Sequence, residues 1–446
     1  MNSSPVNAKI EEVLLLVIIQ LVVIMGAARL AGNLFKRLGQ PVVCGEIAAG
    51  LILGPSLLGR VFPDVFHAVF NPGIGQVFSI FSQLGLILLM FLIGLEFDFG
   101  HLFGNKRTAT SVSAAGIILP FALGFGLGKV MHDQLGLSGS WLNFSLFMAT
   151  AMSITAIPIL GRIMIELNIN RTLVGSLTIS AAAMDDVVGW TILAFVTAIV
   201  RSTLDPVNMA IMVGSLIAYG LIMALVVRPQ LIRWTARKLK ENNGRISLDT
   251  LAIVLILIFL SAAATNKIGI FSIFGGFMMG AILYDQHEFR EALKSSLNDF
   301  VTAFFLPIFF TYTGLRTDVG EMTGGTLWMF CGLVLVAAII GKFGGCTLAA
   351  RANGMPMREA SIVGVLMNTR ALMELIVINI GYDLGIIPKS VFFMLVFMAV
   401  VTTYMTTPIL RRLLRGSNAW EAYSVSAFAT RLESSTRNDL RAADNA

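Results

Sequence analysis

Charge is what this sequence has least of. Only 13% of its 446 residues are Asp, Glu, Lys or Arg, against about 25% in soluble domains, while 56% are hydrophobic. A water-soluble globule is excluded. Cysteine is nearly as scarce: Cys44, Cys331 and Cys346 stand in apolar stretches with no CxxC or Cys/His spacing, which excludes a disulfide framework and a zinc site. The four histidines, His67, His101, His132 and His287, are expected in loops, so no histidine relay is expected within a membrane. The sequence has no Walker-type G-x-x-x-x-G-K-S/T loop, which leaves ATP drive without support. Gly124-Phe-Gly-Leu-Gly128 lies inside an apolar run rather than after a strand and reads as helix packing, not as a dinucleotide turn.

Apolar runs dominate what remains. A crossing takes about 20 apolar residues, and thirteen candidate spans centre near Leu21, Gly50, Ile87, Leu119, Ser153, Asp186, Leu216, Leu255, Gly276, Leu306, Val336, Asn368 and Phe397. The first follows a short polar start with Glu11 and Glu12 and no basic n-region, so it is expected to be a retained helix and not a signal peptide. With the N-terminus outside, thirteen crossings put about twenty Lys and Arg on the inner face and about seven on the outer. Arg237 and Lys238 then mark the cytoplasm, and the net charge of +6 follows from topology without a nucleic-acid partner. The stretch Arg233 to Arg245 is expected to be a helix end and a turn.

The features recur at a near-constant offset. Thr155 precedes Thr369 by 214 residues, and Asp185 precedes Thr402 by 217. The glycines of the fourth span (Gly124, Gly126, Gly128) precede those of the eleventh (Gly341, Gly344, Gly345) by a similar distance. Seven spans, an odd number, fill that offset, so the two copies must run in opposite directions: an inverted repeat.

An ionised group deep in the bilayer costs several kcal/mol and is a functional hypothesis by default. Five such groups remain after the rest are sorted to surfaces: Asp185, Asp186, Lys342, Arg370 and Glu374. Neighbouring helical residues project about 100° apart, so one of Asp185 and Asp186 can face a partner helix while the other faces a cavity. Two carboxylates this close cannot easily both be charged without a cation nearby. The bland alternative, a helix-end pair in interfacial water, conflicts with the apolar residues on either side from Leu173 to Val200. Lys342, in Ile339-Ile-Gly-Lys-Phe-Gly-Gly345, needs a counter-ion unless it snorkels to the inner surface. Pro158 in the fifth span frees carbonyls around Ile154, and these, with the Ser153 and Thr155 hydroxyls, are hard oxygen ligands for a small cation. The twelfth span has a matching polar break at Asn368-Thr369-Arg370, with Glu374 four residues on from Arg370 and able to pair with it. Glu46 and Glu96 are weaker candidates for an inner vestibule. Consecutive Asp185 and Asp186 do not fit an aspartyl protease, whose two carboxylates converge from different helices.

The stretches Gln40–Gly59, Met90–Glu96, Ser153–Leu160, Ala183–Asp186, Leu306–Phe310 and Met367–Leu375, taken in this order, resemble the monovalent cation:proton antiporters that include Kef-type, Nap-type and plant cation/proton exchangers. Ala371 stands where that pattern usually has Gly. The resemblance implies an all-α, 13-helix fold with two crossing broken helices and no cofactor. It implies a homodimer, with a dimerisation part over residues 10–100 and 208–314 and a core over 109–201 and 326–412. Asp186 resembles the carrier of cation and proton, and Asp185 the residue that pairs with a lysine, here Lys342. Asn368, Thr369, Arg370, Glu374 and Pro158 would compensate the broken helices. The expected activity is electrogenic sodium/proton exchange in the cell membrane, with potassium as the alternative cation and lithium a further candidate. Residues 416–446 are expected to form a short, poorly ordered cytoplasmic tail.

Overall fold

The computed structural model describes residues 5–70, 75–96, 106–155, 157–201, 206–242, 244–370 and 372–424. Among them every regular element is helical. In chain order these are α1 (Pro5–Arg37), α2 (Val42–Leu53), α3 (Leu58–Val61), α4 (Pro63–Val69), α5 (Gly75–Glu96), α6 (Lys106–Leu135) and α7 (Trp141–Ser153). Then come α8 (Ile157–Glu166), α9 (Leu173–Arg201), α10 (Pro206–Ile222), α11 (Arg228–Glu241), α12 (Leu248–Ile268), α13 (Ser272–Ala281) and α14 (His287–Phe300). The last are α15 (Leu306–Leu315), α16 (Gly325–Ile339), α17 (Gly345–Ala352), α18 (Met357–Met367), α19 (Leu372–Asp383), α20 (Lys389–Leu414) and α21 (Trp420–Ser424). π-helical turns at Met223–Val227, Val301–Phe305 and Ile340–Gly344 join α10 to α11, α14 to α15 and α16 to α17.

Ten stretches among the described residues are long and apolar enough to cross a membrane, as befits an integral multi-pass protein. That is fewer than the thirteen read from hydropathy. The difference has local causes: α7 and α8 are separated by a break, α13 is only ten residues long, and α14 opens on the polar stretch His287–Asp299.

The chain divides into two compact units. The first takes Met1–Leu34, Gly45–Gly100 and Ala194–Gly320. Its core includes a buried cluster of Val17, Ile24, Phe78 and Ile308. Polar bonds join three other helices of this unit, α10, α12 and α13: the Ser261 hydroxyl donates to the Gly275 carbonyl at 2.7 Å and meets the Tyr219 hydroxyl at 2.6 Å. Helix α12 is bounded as its sequence dictates, with Ser247 accepting from the Thr250 amide and Gly269 closing the end at φ +97°, a left-handed conformation that favours glycine. Helix α11 ends at Glu241 and Gly244 turns the chain at φ +81°, as expected of that stretch.

The second unit takes Phe35–Cys44, His101–Leu193 and Glu321–Ala446. Its helices repeat one pattern: continuous α6, interrupted α7 and α8, continuous α9, then continuous α16–α17, interrupted α18 and α19, continuous α20. Gly124 and Gly128 do serve packing. A Cβ on either would stand within 2.9 Å of a backbone atom of α7, so α6 and α7 touch backbone to backbone.

Two expectations need correction. The histidines do not all lie in loops: His67 is in α4, His132 in the last turn of α6, and His287 opens α14; His101 is outside the described residues. Nor is the whole tail loose. Gly416 turns the chain at φ +81°, Ala419 and Tyr423 are buried, and three side-chain bonds hold the segment. Arg358 donates to the Gly416 carbonyl at 3.2 Å, Asn168 to the Ala422 carbonyl at 2.9 Å, and Asn418 to the Glu359 carboxylate. Two buried side chains and these bonds supply what a low-aliphatic composition conceals. Residues 425–446, with Arg431, Arg437 and Arg441, lie outside the described residues.

Candidate ion-binding site

The site is built where α7 stops. Ser153 is the last residue of α7, Ile154 takes an extended conformation (φ −80°, ψ 145°), and α8 starts at Ile157. Pro158 therefore falls in the first turn of α8, where the missing amide is no loss; its side chain is outside the described residues. The stop leaves the carbonyls of the last turn of α7 without helical partners. Three of them find cations. Arg370 Nη1 donates to Ala151 O at 3.3 Å and Nη2 to Met152 O at 2.6 Å, while Lys342 Nζ donates to Ser153 O at 2.5 Å.

Lys342 is fully buried, so it does not snorkel. It sits in the π-turn Ile340–Gly344, a wider, locally underwound turn often found at functional positions. An ammonium has three donors, and all are used: Gly116 O at 2.8 Å, Ser153 O at 2.5 Å and Asp185 Oδ2 at 2.7 Å. Gly116 on α6 makes room for this, because a Cβ there would lie 2.6 Å from Cys346 Sγ and 3.7 Å from Lys342 Nζ.

Asp185 Oδ2 also accepts from the Thr155 hydroxyl at 2.7 Å. Asp186 is placed differently. It is fully buried, yet neither of its carboxylate oxygens accepts a hydrogen bond among the described residues. A buried, unsolvated carboxylate cannot stay charged and alone. Charge counting makes the same point. The five charged groups at 0–1% exposure around the two breaks are Asp185, Asp186, Lys342, Arg370 and Glu374. Lys342 neutralises Asp185 and Arg370 neutralises Glu374, with Nη1 to Oε1 at 3.2 Å. Asp186 is the odd charge, left without a counter-charge of its own among these five groups.

The second break is tied by neutral groups. Helix α18 ends at Met367 and α19 starts at Leu372. Thr369 Oγ1 meets Thr406 Oγ1 at 3.2 Å, the Arg370 amide donates to Thr403 Oγ1 at 3.2 Å, and the same hydroxyl donates to the Arg370 carbonyl. Asn368 is buried, and its Oδ1 accepts no bond among the described residues. Ala371 lies outside them.

Most of the candidate residues thus gather about the two breaks. The Ser153 hydroxyl donates to Thr150 O at 3.0 Å within its own helix, and its backbone carbonyl accepts from Lys342. Sequence reasoning missed Gly116 and Thr403. The run Ser113-Ala-Ala-Gly116 was a signal for close approach, and Thr403 stands beside Thr402, the partner already matched to Asp185 by spacing. Glu46 is buried on α2 in the first unit, where Thr311 donates to its carbonyl at 3.2 Å. The side chain of Glu96 is outside the described residues.

Comparisons with known proteins bear on the family and the fold. The model of the family described as sodium/hydrogen exchanger, transmembrane, matches residues 21–416. The Na+/H+ antiporter NhaS4 of Synechocystis is 39% identical over 89% of this chain and 96% of its own length. Cation/H+ antiporter 18 of Arabidopsis thaliana is 38% identical over 90% of this chain, which spans about half (49%) of that longer relative. The K+/H+ antiporter 1 of Saccharomyces cerevisiae is 30% identical over 84% of this chain and 44% of its own length. Among solved structures, the sodium proton antiporter MjNhaP1 of Methanocaldococcus jannaschii superposes with a TM-score of 0.60 over 94% of this chain and 99% of its own, at 15% identity. That likeness concerns the fold.

Proposed function

This chain belongs to the sodium/hydrogen exchanger family, a family of monovalent cation:proton antiporters, and from that premise we propose that sodium and a proton compete for Asp186. The observation that carries this is the unpartnered, fully buried carboxylate beside a charge-balanced set. Asp186 holds either one proton or one sodium ion, and with Lys342 and Arg370 charged either ligand can balance its carboxylate. Hard oxygens suit sodium, and Thr155 and the backbone around Ile154 supply them at the break.

Asp185 and Lys342 are the coupling pair. As a cation approaches, Asp185 exchanges its ammonium partner for the cation, and Lys342 stays anchored on the Gly116 and Ser153 carbonyls. Electrogenic exchange requires that a second proton, held by this pair, moves together with the one on Asp186 for each sodium ion. The second unit acts as the moving core and the first as the scaffold of a homodimer. Thirteen crossings, an outside N-terminus and a cell-membrane location follow from the basic-residue asymmetry and the family pattern. The identity to NhaS4 supports sodium as the cation. Potassium is the second reading, supported by the yeast relative.

Proteoliposomes holding a pH dye test the proposal. Sodium added outside is expected to drive protons across the wild-type vesicle, and Asp186→Asn is expected to abolish that movement. Undiminished exchange in Asp186→Asn would reject Asp186 as carrier. A response to potassium alone would select the second reading.

A further inference from the structure

We infer that Thr403 is a positioning residue for antiport: one hydroxyl clasps both backbone groups of Arg370 and so fixes where its guanidinium reaches. Thr403 is 1% exposed on α20. Its Oγ1 accepts from the Arg370 amide at 3.2 Å and donates to the Arg370 carbonyl. A hydroxyl offers one donor and two lone pairs, so a single side chain closes both the open donor and the open acceptor of that residue. Water is not available to do this inside a membrane, where irregular backbone must be satisfied by protein.

Its neighbours on the same helix behave otherwise. The Thr402 hydroxyl donates to Met398 O at 2.8 Å, the ordinary bond back into its own helix. Thr406 donates to Thr402 O at 2.9 Å while meeting Thr369. Thr403 spends its hydroxyl on another element, and the consequence runs onward through named bonds. With its backbone held, Arg370 sends Nη1 and Nη2 to Ala151 O and Met152 O. Those carbonyls precede Ser153, whose own carbonyl holds Lys342, which holds Asp185. The chain from Thr403 to the coupling pair thus has no gap.

The repeat gives the arrangement its sense. The spacing of 217 residues that relates Asp185 to Thr402 also relates Asp186 to Thr403. Where the first half carries a carboxylate free to take a ligand, the second carries a hydroxyl already committed to backbone. One break trades ligands; the other is tied so that it can support the first.

This inference rests on the antiport reading, and the test separates the two. Sodium-driven proton movement is measured in proteoliposomes for the full chain, for Thr403→Val, which keeps the shape without the hydroxyl, and for Thr403→Ser, which keeps the hydroxyl. Thr403→Val is expected to raise the sodium concentration for half-maximal exchange about tenfold, as loss of an outer-shell partner does at metal sites, with a smaller change in maximal rate. Thr403→Ser is expected to restore the wild-type value. If Thr403→Val does not yield folded protein, Thr403→Cys, similar in size with a weak donor, is expected to fall between wild type and that tenfold rise. Wild-type half-saturation in Thr403→Val or Thr403→Cys would overturn the inference. So would a fall in maximal rate alone, or a Thr403→Ser variant as impaired as the valine. Absence of exchange in the wild type would instead reject the antiport reading itself, and the inference with it.

Discussion

The two helix breaks of the second unit solve one problem with different chemistry. At residues 153–155 a freed carbonyl and a hydroxyl face Lys342 and Asp185, and at residues 369–370 a hydroxyl and the backbone face threonine hydroxyls. Charged partners bind strongly but can be traded for a mobile ion, whereas neutral hydroxyls hold backbone with no ion able to replace them. Arg370 links the two, with its backbone in the second break and its guanidinium on the carbonyls of the first. The contrast is between a break whose partners are charged and an inverted counterpart whose partners are neutral and fixed to backbone.

The strongest way to disturb that contrast is to remove a charge from the first break. Lys342→Met leaves Asp185 buried without its counter-ion, and such a loss costs about 3–5 kcal/mol. The double variant Lys342→Met, Asp185→Asn removes both charges and is expected to recover most of that stability. Thermal unfolding of detergent-solubilised protein measures it. Equal loss in the single and double variants would show that the pair does not act as a unit.

Removing Arg370 tests the link. Arg370→Lys keeps the charge but loses the planar fork that reaches two carbonyls and a carboxylate together. A loss of about 1–3 kcal/mol is expected, the cost of leaving buried acceptors unmade, together with weakened sodium-driven exchange. Unchanged melting and unchanged half-saturation would mean that the two breaks are independent.

Gly116→Ala probes the lysine pocket with a smaller push. The added Cβ would meet Cys346 Sγ at 2.6 Å, and overpacking of this kind costs about 1–3 kcal/mol. Because the clash is with one sulfur, Gly116→Ala, Cys346→Ala is expected to regain part of the loss. If the double variant is no better than the single, the strain lies elsewhere in α6.

How much of this was legible beforehand divides along the same line. The carboxylates, Lys342, Arg370 and Glu374 could be read directly, because a charge in an apolar run has few reasons to be there. The pairing Arg370–Glu374 follows from sign and i,i+4 spacing, and Asp185–Lys342 from the family resemblance; both are present. The hydroxyl clasp of Thr403 was not legible. Threonine is common in apolar helices, and nothing in its identity says whether it bonds to its own helix, as Thr402 does, or to another. The use of the Ser153 carbonyl was not legible for the same reason: a residue at a helix end offers a hydroxyl and a carbonyl, and only geometry says that the carbonyl meets Lys342. The count of crossings was blurred because breaks and polar starts split helices that hydropathy joins.

The smallest expected effect concerns the ends of the broken helices rather than their breaks. Asn168 follows α8 and carries a left-handed φ of 56°, the one non-glycine residue with positive φ among those described; its side chain donates to Ala422 O at 2.9 Å. Glu359, in the first turn of α18, accepts from Asn418. One short segment after α20 therefore ties a half-helix from each break, so here the two copies are treated alike. Asn418→Ala removes one tie and Asn168→Gly the other, while glycine keeps the backbone conformation at little cost. Each bond is worth about 1 kcal/mol, so the melting temperature is expected to fall slightly and sodium-driven exchange to persist. Limited proteolysis should show faster cleavage around residues 416–424 in Asn418→Ala than in wild type. Equal cleavage would mean that buried Ala419 and Tyr423 hold the segment alone. A large loss of exchange would instead make the segment part of the moving machinery and break the equality between the two ends.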